Sequence, residues 1–199
     1  GNDTIQPGVL SESEWKNAVA RSVAHIAAGE LSKIVLARDI VASLSSPVAT
    51  AQVLRELALR YESCWTYSVD GLIGSTPEML IKVEEGKARA RVLAGTLDRA
   101  TAPLDDPDYA KRVLAGSEKQ QHEHAIAIDS VTSHLEPFTS SMTSHSEPFV
   151  LELPNVWHLA SDVTADLRVD GGTVPTSLDL VEALHPTAAV CGYPTSVAG

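Results

Sequence analysis

The residue types best suited to proton chemistry are a lysine and a glutamate at the mouths of apolar runs. Lys33 opens Lys33-Ile34-Val35-Leu36-Ala37. A lysine on a rigid element, pointing into a pocket that lowers its pKa, serves as a general base; at an open strand end it snorkels to the surface instead. Glu78 lies between Pro77 and the apolar Met79-Leu80. Partly desolvated, a glutamate there holds its proton and acts as an acid; in water it is a turn carboxylate. Leu93-Ala94-Gly95-Thr96 reads as the end of a strand at a small-residue turn. Gly95 permits close backbone approach, and consecutive amides there hold a carboxylate.

The run Glu118-Lys119-Gln120-Gln121-His122-Glu123-His124 invites a metal reading. On a helix, His122 and His124 face roughly 200° apart and cannot share one ion. Glu123 alone suits a hard ion such as Mg²⁺, which takes few protein ligands and keeps its waters. Its alternative role is an i,i+4 partner of Lys119. His158, after Trp157 in a strand-like segment, is a structural or a pocket histidine. The chain holds no nucleophile elbow, phosphate loop, dinucleotide fingerprint or zinc helix motif.

The elements that must position these residues are a mixture. Residues 11–29 read as a helix capped by Ser11 or Ser13, with Trp15, Val19, Val23 and Ile26 on one face. Residues 33–37 read as a strand and 50–61 as a second helix. Residues 64–70 and 72–74 form a hairpin across Asp70-Gly71, and 79–83 and 87–93 a second one across Glu84-Glu85-Gly86. Residues 100–108 read as a loop, 109–135 as one long helix or two broken at Gly116-Ser117, and the Ser/Thr-rich 136–148 as an exposed connection. Strand-like pieces fill 150–166, a short helix covers 177–184, and 185–199 is a Pro/Gly-containing stretch with no closing element after it. Strands and helices without strict alternation predict an α+β fold.

Bulk properties bound the function. The 199 residues carry 15 Lys+Arg against 26 Asp+Glu, a formal charge of −11. Nucleic-acid and membrane-surface binding are therefore not expected, because both need a basic face. An anionic substrate would need local positive charge. Cys64 and Cys191 make neither a disulfide framework nor a zinc set, and no targeting or membrane-spanning segment is visible, so the cytoplasm is expected.

The order of these signals carries more than any one of them. Lys33-Ile34-Val35-Leu36-Ala37-Arg38, residues 74–80, 93–96, 117–124, 156–159, and His185-Pro186-Thr187 through Gly192-Tyr193-Pro194 together resemble the chorismate-utilising enzymes, most closely the isochorismate synthases. The resemblance covers over four-fifths of the chain, from Lys33 to Pro194. It implies the anthranilate synthase component I-like fold, with mixed or antiparallel sheets and flanking helices. It also implies a Mg²⁺-dependent isomerisation of chorismate to isochorismate. Lys33 would activate the water that attacks C2, and Glu78 would protonate the departing C4 hydroxyl. Glu123 would bind Mg²⁺; Gly95, Thr96, His158, Ala189 and Gly192 would contact substrate.

Three positions separate the subfamilies. Anthranilate synthases usually carry glutamine where Lys33 stands, and aminodeoxychorismate synthases a nucleophilic lysine where Ala94 stands. Salicylate synthases tend to carry threonine at Ala189. Isochorismate is thus the favoured product, salicylate plus pyruvate the alternative, in a quinone or a siderophore pathway. The family domain continues past the last block, so residues 1–199 are expected to be the N-terminal and central part of a single chorismate-binding domain. A second Mg²⁺ glutamate and a carboxylate-binding arginine would lie in the remainder. A non-catalytic truncated homologue is the third reading.

Overall fold

The computed structural model describes residues 3–103, 106, 108–144 and 147–198. They fall into two compact units, Gly1–Ser75 with Cys191–Gly199, and Thr76–Val190.

In the first unit, β1 (Thr4–Pro7) pairs antiparallel with β3 (Ile40–Ser43), and β2 (Lys33–Ile34) pairs with β11 (Gly192–Tyr193). β4 (Trp65–Val69) and β5 (Leu72–Thr76) make a hairpin whose turn residues Asp70 and Gly71 both take positive φ, the type expected of a two-residue connection. α1 (Glu12–Ala27) starts at a capping box: the Ser11 hydroxyl accepts from the Glu14 N–H, and the Glu14 carboxylate accepts from the Ser11 N–H. Its Trp15 indole N–H donates to the Leu36 carbonyl at 3.2 Å. α2 (Thr50–Arg60) is amphipathic in sequence. Yet neither helix buries a single residue, and Leu31 is the one buried hydrophobic side chain among described residues up to 75. The stripe expected on α1 forms but is not covered, leaving Val23 58% exposed. The strand expected over 33–37 stops at Ile34, because its partner β11 is two residues long.

The second unit has the core. Its sheet runs β6 (Met79–Glu84), β7 (Lys87–Asp98), β10 (Val156–Leu167), β8 (Thr139–Ser144), with β9 (Phe149–Glu152) on the N-terminal half of β10 and every pairing antiparallel. One face carries Ala88, Ala90, Val92 and Ala94 of β7 with Val163 and Ala165 of β10, all buried. Those small side chains let α4 (Glu118–Leu135) lie close, adding Ala127, Val131 and Leu135; α5 (Ser177–Leu184) adds Leu180 and Leu184. The outer face is charged and paired across strands: Arg91 forks onto Asp162 at 2.6 and 2.8 Å, and Lys87 meets Asp166 at 2.5 Å. α3 (Tyr109–Gly116) contributes Leu114, which is fully buried.

The α+β reading holds, as do the break at Gly116-Ser117, where Ser117 caps α4, and the bounds of α5. Three expectations are corrected. β7 does not end at Thr96 but runs to Asp98, since β10 continues to supply a partner. The connection over 136–148 contains β8: its Thr and Ser residues look like loop, but β10 offers them an edge to pair with. The 185–199 stretch, read only as Pro/Gly-containing, holds the short elements β11 and α6 (Thr195–Ala198). Residues 104, 105 and 107 of the expected 100–108 loop lie outside the described residues, as do 145 and 146 of that connection.

The contrast between the units has a measurable consequence. In hydrogen exchange on the 199-residue chain, the amides of residues 88–94 and 159–167 are expected to exchange slowest. Those of residues 12–27 and 50–60 should exchange much faster. Equal protection of α1 and β10 would contradict the burial pattern.

Candidate active site

The polar corner of the second unit is built on a defect in its main ladder. Thr96 pairs with His158 and Leu93 with Ala160, so Ala94 and Gly95 together oppose Leu159. That two-against-one count is a β-bulge, which re-aims the backbone locally. Gly95 takes φ +92°, open to glycine at little cost. A Cβ there would also come within 2.8 Å of the Gln120 side-chain oxygen and 3.4 Å of Leu159 Cδ1.

His158, half-buried on β10, closes the corner. Its Nδ1 lies 3.0 Å from Thr96 Oγ1 and 3.4 Å from the Gly95 carbonyl oxygen. A carbonyl only accepts, so Nδ1 carries the proton in the contact with Gly95. Burial lowers the pKa of His158 below its ordinary value of 6.5, and the hydrogen bond to Gly95 opposes part of that shift. The structure thus brings Gly95, Thr96 and His158 into one contact set.

Glu123 stands on α4, partly buried, with Lys119 Nζ 3.5 Å from its Oε1. The i,i+4 pair anticipated from sequence is present, but one long contact to an exposed lysine does not exhaust a carboxylate's acceptors. One turn earlier, Gln120 Oε1 is buried and has no hydrogen-bond partner among the described residues. A carboxylate and an orphaned amide oxygen on one helix are hard donors. They fit an ion such as Mg²⁺ that takes few protein ligands. Among the described residues, no group of three or more His, Cys, Asp or Glu could hold a metal. The exclusion of a His122/His124 pair stands, since α4 is continuous and leaves His122 exposed and His124 buried.

Glu78 is half-buried ahead of β6, its backbone N–H donating to Thr76 Oγ1 at 3.2 Å. Ala189 sits in the turn that Val190 N–H closes onto the Thr187 carbonyl at 3.2 Å, packed against the core of this unit. Lys33 and Gly192 belong to the first unit, where β2 and β11 pair Tyr193 with Lys33 and Gly192 with Ile34. Gly192 is buried at φ +129°, and a Cβ on it would lie 2.3 Å from the Lys33 carbonyl oxygen. Its lack of a side chain thus lets the two strands meet, which holds the backbone that bears Lys33.

Three polar residues of the site had no role in the sequence reading: Gln120, His124 and Ser161. For Gln120 and His124 the signal was helical register; Ser161 lies on β10 and carried none. Gln120, His124, Ala127 and Val131 fall at i, i+4, i+7 and i+11, the face that α4 turns to the sheet.

The family described as chorismate binding enzyme matches residues 2–199, and the chain belongs to it. The chain is 34% identical to isochorismate synthase DhbC of Bacillus subtilis (strain 168), over 98% of this chain and 50% of that protein. It is 28% identical to isochorismate synthase EntC of Escherichia coli (strain K12), over 99% of this chain and 50% of that one. A crystal structure of a putative 2,3-dihydroxybenzoate-specific isochorismate synthase, DhbC from Bacillus anthracis, superposes with a TM-score of 0.86 at 32% identity. That match covers 99% of this chain and 54% of the other. Anthranilate synthase component I from Streptococcus pneumoniae TIGR4 shares the fold, with a TM-score of 0.79 at 21% identity over 100% of this chain and 43% of that one. The chain spans about half the length of the curated relatives it matches. The expected chorismate-binding fold is therefore borne out. No helix among the described residues is long and apolar enough to cross a membrane.

The lowered pKa of His158 has a sign that can be read. The unfolded chain binds a proton at His158 before the folded one does, so this group's contribution to stability falls as pH drops through 6.5 toward the folded value. An NMR titration of the 199-residue chain is expected to place the His158 ring below 6.5. A midpoint above 6.5 would show that the contacts to Gly95 and Thr96 outweigh burial.

Proposed function

We propose that the protein to which these residues belong is an isochorismate synthase, converting chorismate to isochorismate. The observation that carries the reading is the match of nearly the whole chain to DhbC of B. subtilis at 34% identity. The bulge at Gly95, with the Thr96 hydroxyl beside it, supports it by offering neutral donors to an anionic substrate.

The reaction adds one C–O bond and breaks another. Lys33 takes a proton from water as the oxygen bonds to C2. The diene electrons shift, and the C4–O bond breaks as Glu78 donates its proton to the departing hydroxyl. Water enters and water leaves, so the net change is isomerisation. Hydroxide is too poor a leaving group to depart unprotonated, which is why an acid is needed. Lys33 acts as a base only when neutral, which a desolvated or locally cationic surrounding favours. Gly95 and Thr96 hold the substrate through backbone amides, His158 presents its unprotonated second ring nitrogen as an acceptor, and Ala189 and Gly192 are further substrate contacts in this reading.

The resident ion proposed for this site is Mg²⁺, held by Glu123 with Gln120 beside it. When bound, it supplies the positive charge that a dianionic substrate needs and a −11 chain lacks. Residues 1–199 form part of one chorismate-binding domain in this reading, and the free thiols Cys64 and Cys191 suit a reducing cytoplasm.

The test is product analysis by chromatography after incubating chorismate and Mg²⁺ with the full-length protein. Isochorismate is expected. Salicylate plus pyruvate would establish the alternative chemistry, and no product would favour a non-catalytic homologue. The 199-residue chain alone is expected to show little or no turnover, because Glu123 is its sole proposed carboxylate ligand. In the full-length protein, Lys33→Ala is expected to lower kcat by about 100-fold or more while sparing chorismate binding measured calorimetrically. A retained rate would remove Lys33 as the base.

A further inference from the structure

We propose that His124 is a positioning residue for this site: backed by Ser161, it fixes the Ala94–Gly95 peptide so that the Gly95 N–H is aimed at the bound carboxylate. The inference rests on the reading above that Gly95 meets substrate, and it adds a residue pair with no assigned role.

The argument begins with the bulge. Placing Ala94 and Gly95 opposite Leu159 takes a peptide group out of the regular β7–β10 exchange. A buried carbonyl so released must find a donor. Ala94 is 8% exposed, and its carbonyl oxygen lies 3.1 Å from His124 Nδ1. The other ring nitrogen, Nε2, lies 2.8 Å from Ser161 Oγ on β10. His124 and Ser161 are 4% and 2% exposed.

The chemistry fixes the protons. The Ala94 oxygen can only accept, so Nδ1 carries hydrogen; in the neutral ring Nε2 then accepts from the Ser161 hydroxyl. Both ends of the ring are held, and the tautomer with them. Peptide planarity does the rest. In a trans peptide the C=O of Ala94 and the N–H of Gly95 point in opposite directions. A carbonyl turned toward α4 therefore turns the Gly95 N–H away from α4. One turn earlier, Gln120 Oε1 presses on Gly95 from the same helix, 2.8 Å from where a Cβ would stand. His158 takes the next carbonyl, that of Gly95. Two histidines thus hold consecutive carbonyls of the bulge and orient the amides between them.

The test compares His124→Leu, His124→Asn and Ser161→Ala. Asparagine is the conservative variant, because its amide N–H reaches where Nδ1–H does. First, ¹⁵N-labelled 199-residue chains are examined without ligand. The Gly95 and Thr96 amide signals are expected to move in His124→Leu, to return toward wild type in His124→Asn, and to move less in Ser161→Ala. Second, in the full-length protein, His124→Leu is expected to raise the chorismate KM about tenfold, the size of one lost hydrogen bond, with kcat little changed; His124→Asn recovers most of that loss. Unmoved Gly95 signals in a folded His124→Leu chain would overturn the proposal. If that variant does not fold, an unmoved Gly95 in Ser161→Ala overturns it. Equal KM in His124→Leu and wild type would also overturn it. A wild-type protein that makes neither product refutes the function reading instead, and the ligand-free spectra still decide the clamp.

Discussion

One antiparallel pairing, β7 against β10, organises everything of consequence in the second unit. It is regular from Lys87 to Leu93, slips by one residue at Ala94–Gly95, and resumes at Thr96. The regular part makes the core. Alternation sends Ala88, Ala90 and Val92 to the helix side and Lys87, Arg89 and Arg91 to the other. The slip makes the candidate site. It frees backbone groups from the ladder where Gln120 and His124 of α4 come close, and it requires a residue that tolerates positive φ. A single chain feature thus separates the part of the sheet that stabilises from the part proposed to bind.

The polar groups gathered there are neutral. His158 is held below its ordinary pKa by burial, while Thr96 and the bulge amides carry dipoles only. Preorganised dipoles orient a carboxylate at little desolvation cost, whereas a buried charge would carry a penalty of its own. They do not neutralise a dianion in a chain of charge −11. In the proposed reaction that task falls to the ion at Glu123 and to cationic side chains. The division of labour is between groups that set geometry and groups that carry charge.

The two units differ in how they are held. Thr76–Val190 encloses Leu114, Leu159 and Leu180 with 1% exposure or less. Gly1–Ser75 has a well-formed capping box and a β4–β5 hairpin but buries one hydrophobic side chain among its described residues. Capping boxes and turn residues specify where elements start and stop; they contribute far less than burial does. Local rules therefore sufficed to shape α1 and the β4–β5 turn, and they left Val23 and Leu59 facing solvent.

Much of this was written in the residues. Spacing placed α1, α4 and α5, the Asp-Gly and Glu-Gly turns placed two hairpins, and the order of six blocks pointed to the family. Those features depend on contacts between neighbours in sequence, so the sequence by itself determined them. It also singled out Gly95, Thr96 and His158 one by one. That Thr96 and His158 meet at 3.0 Å was decided only when β10 paired with β7. The polar strand β8 likewise exists because β10 presents it an edge. His124 shows the limit most plainly. In sequence it was a metal ligand considered and rejected. Its role depends on a carbonyl 30 residues away, released by a one-residue slip of register that no local pattern of side chains records.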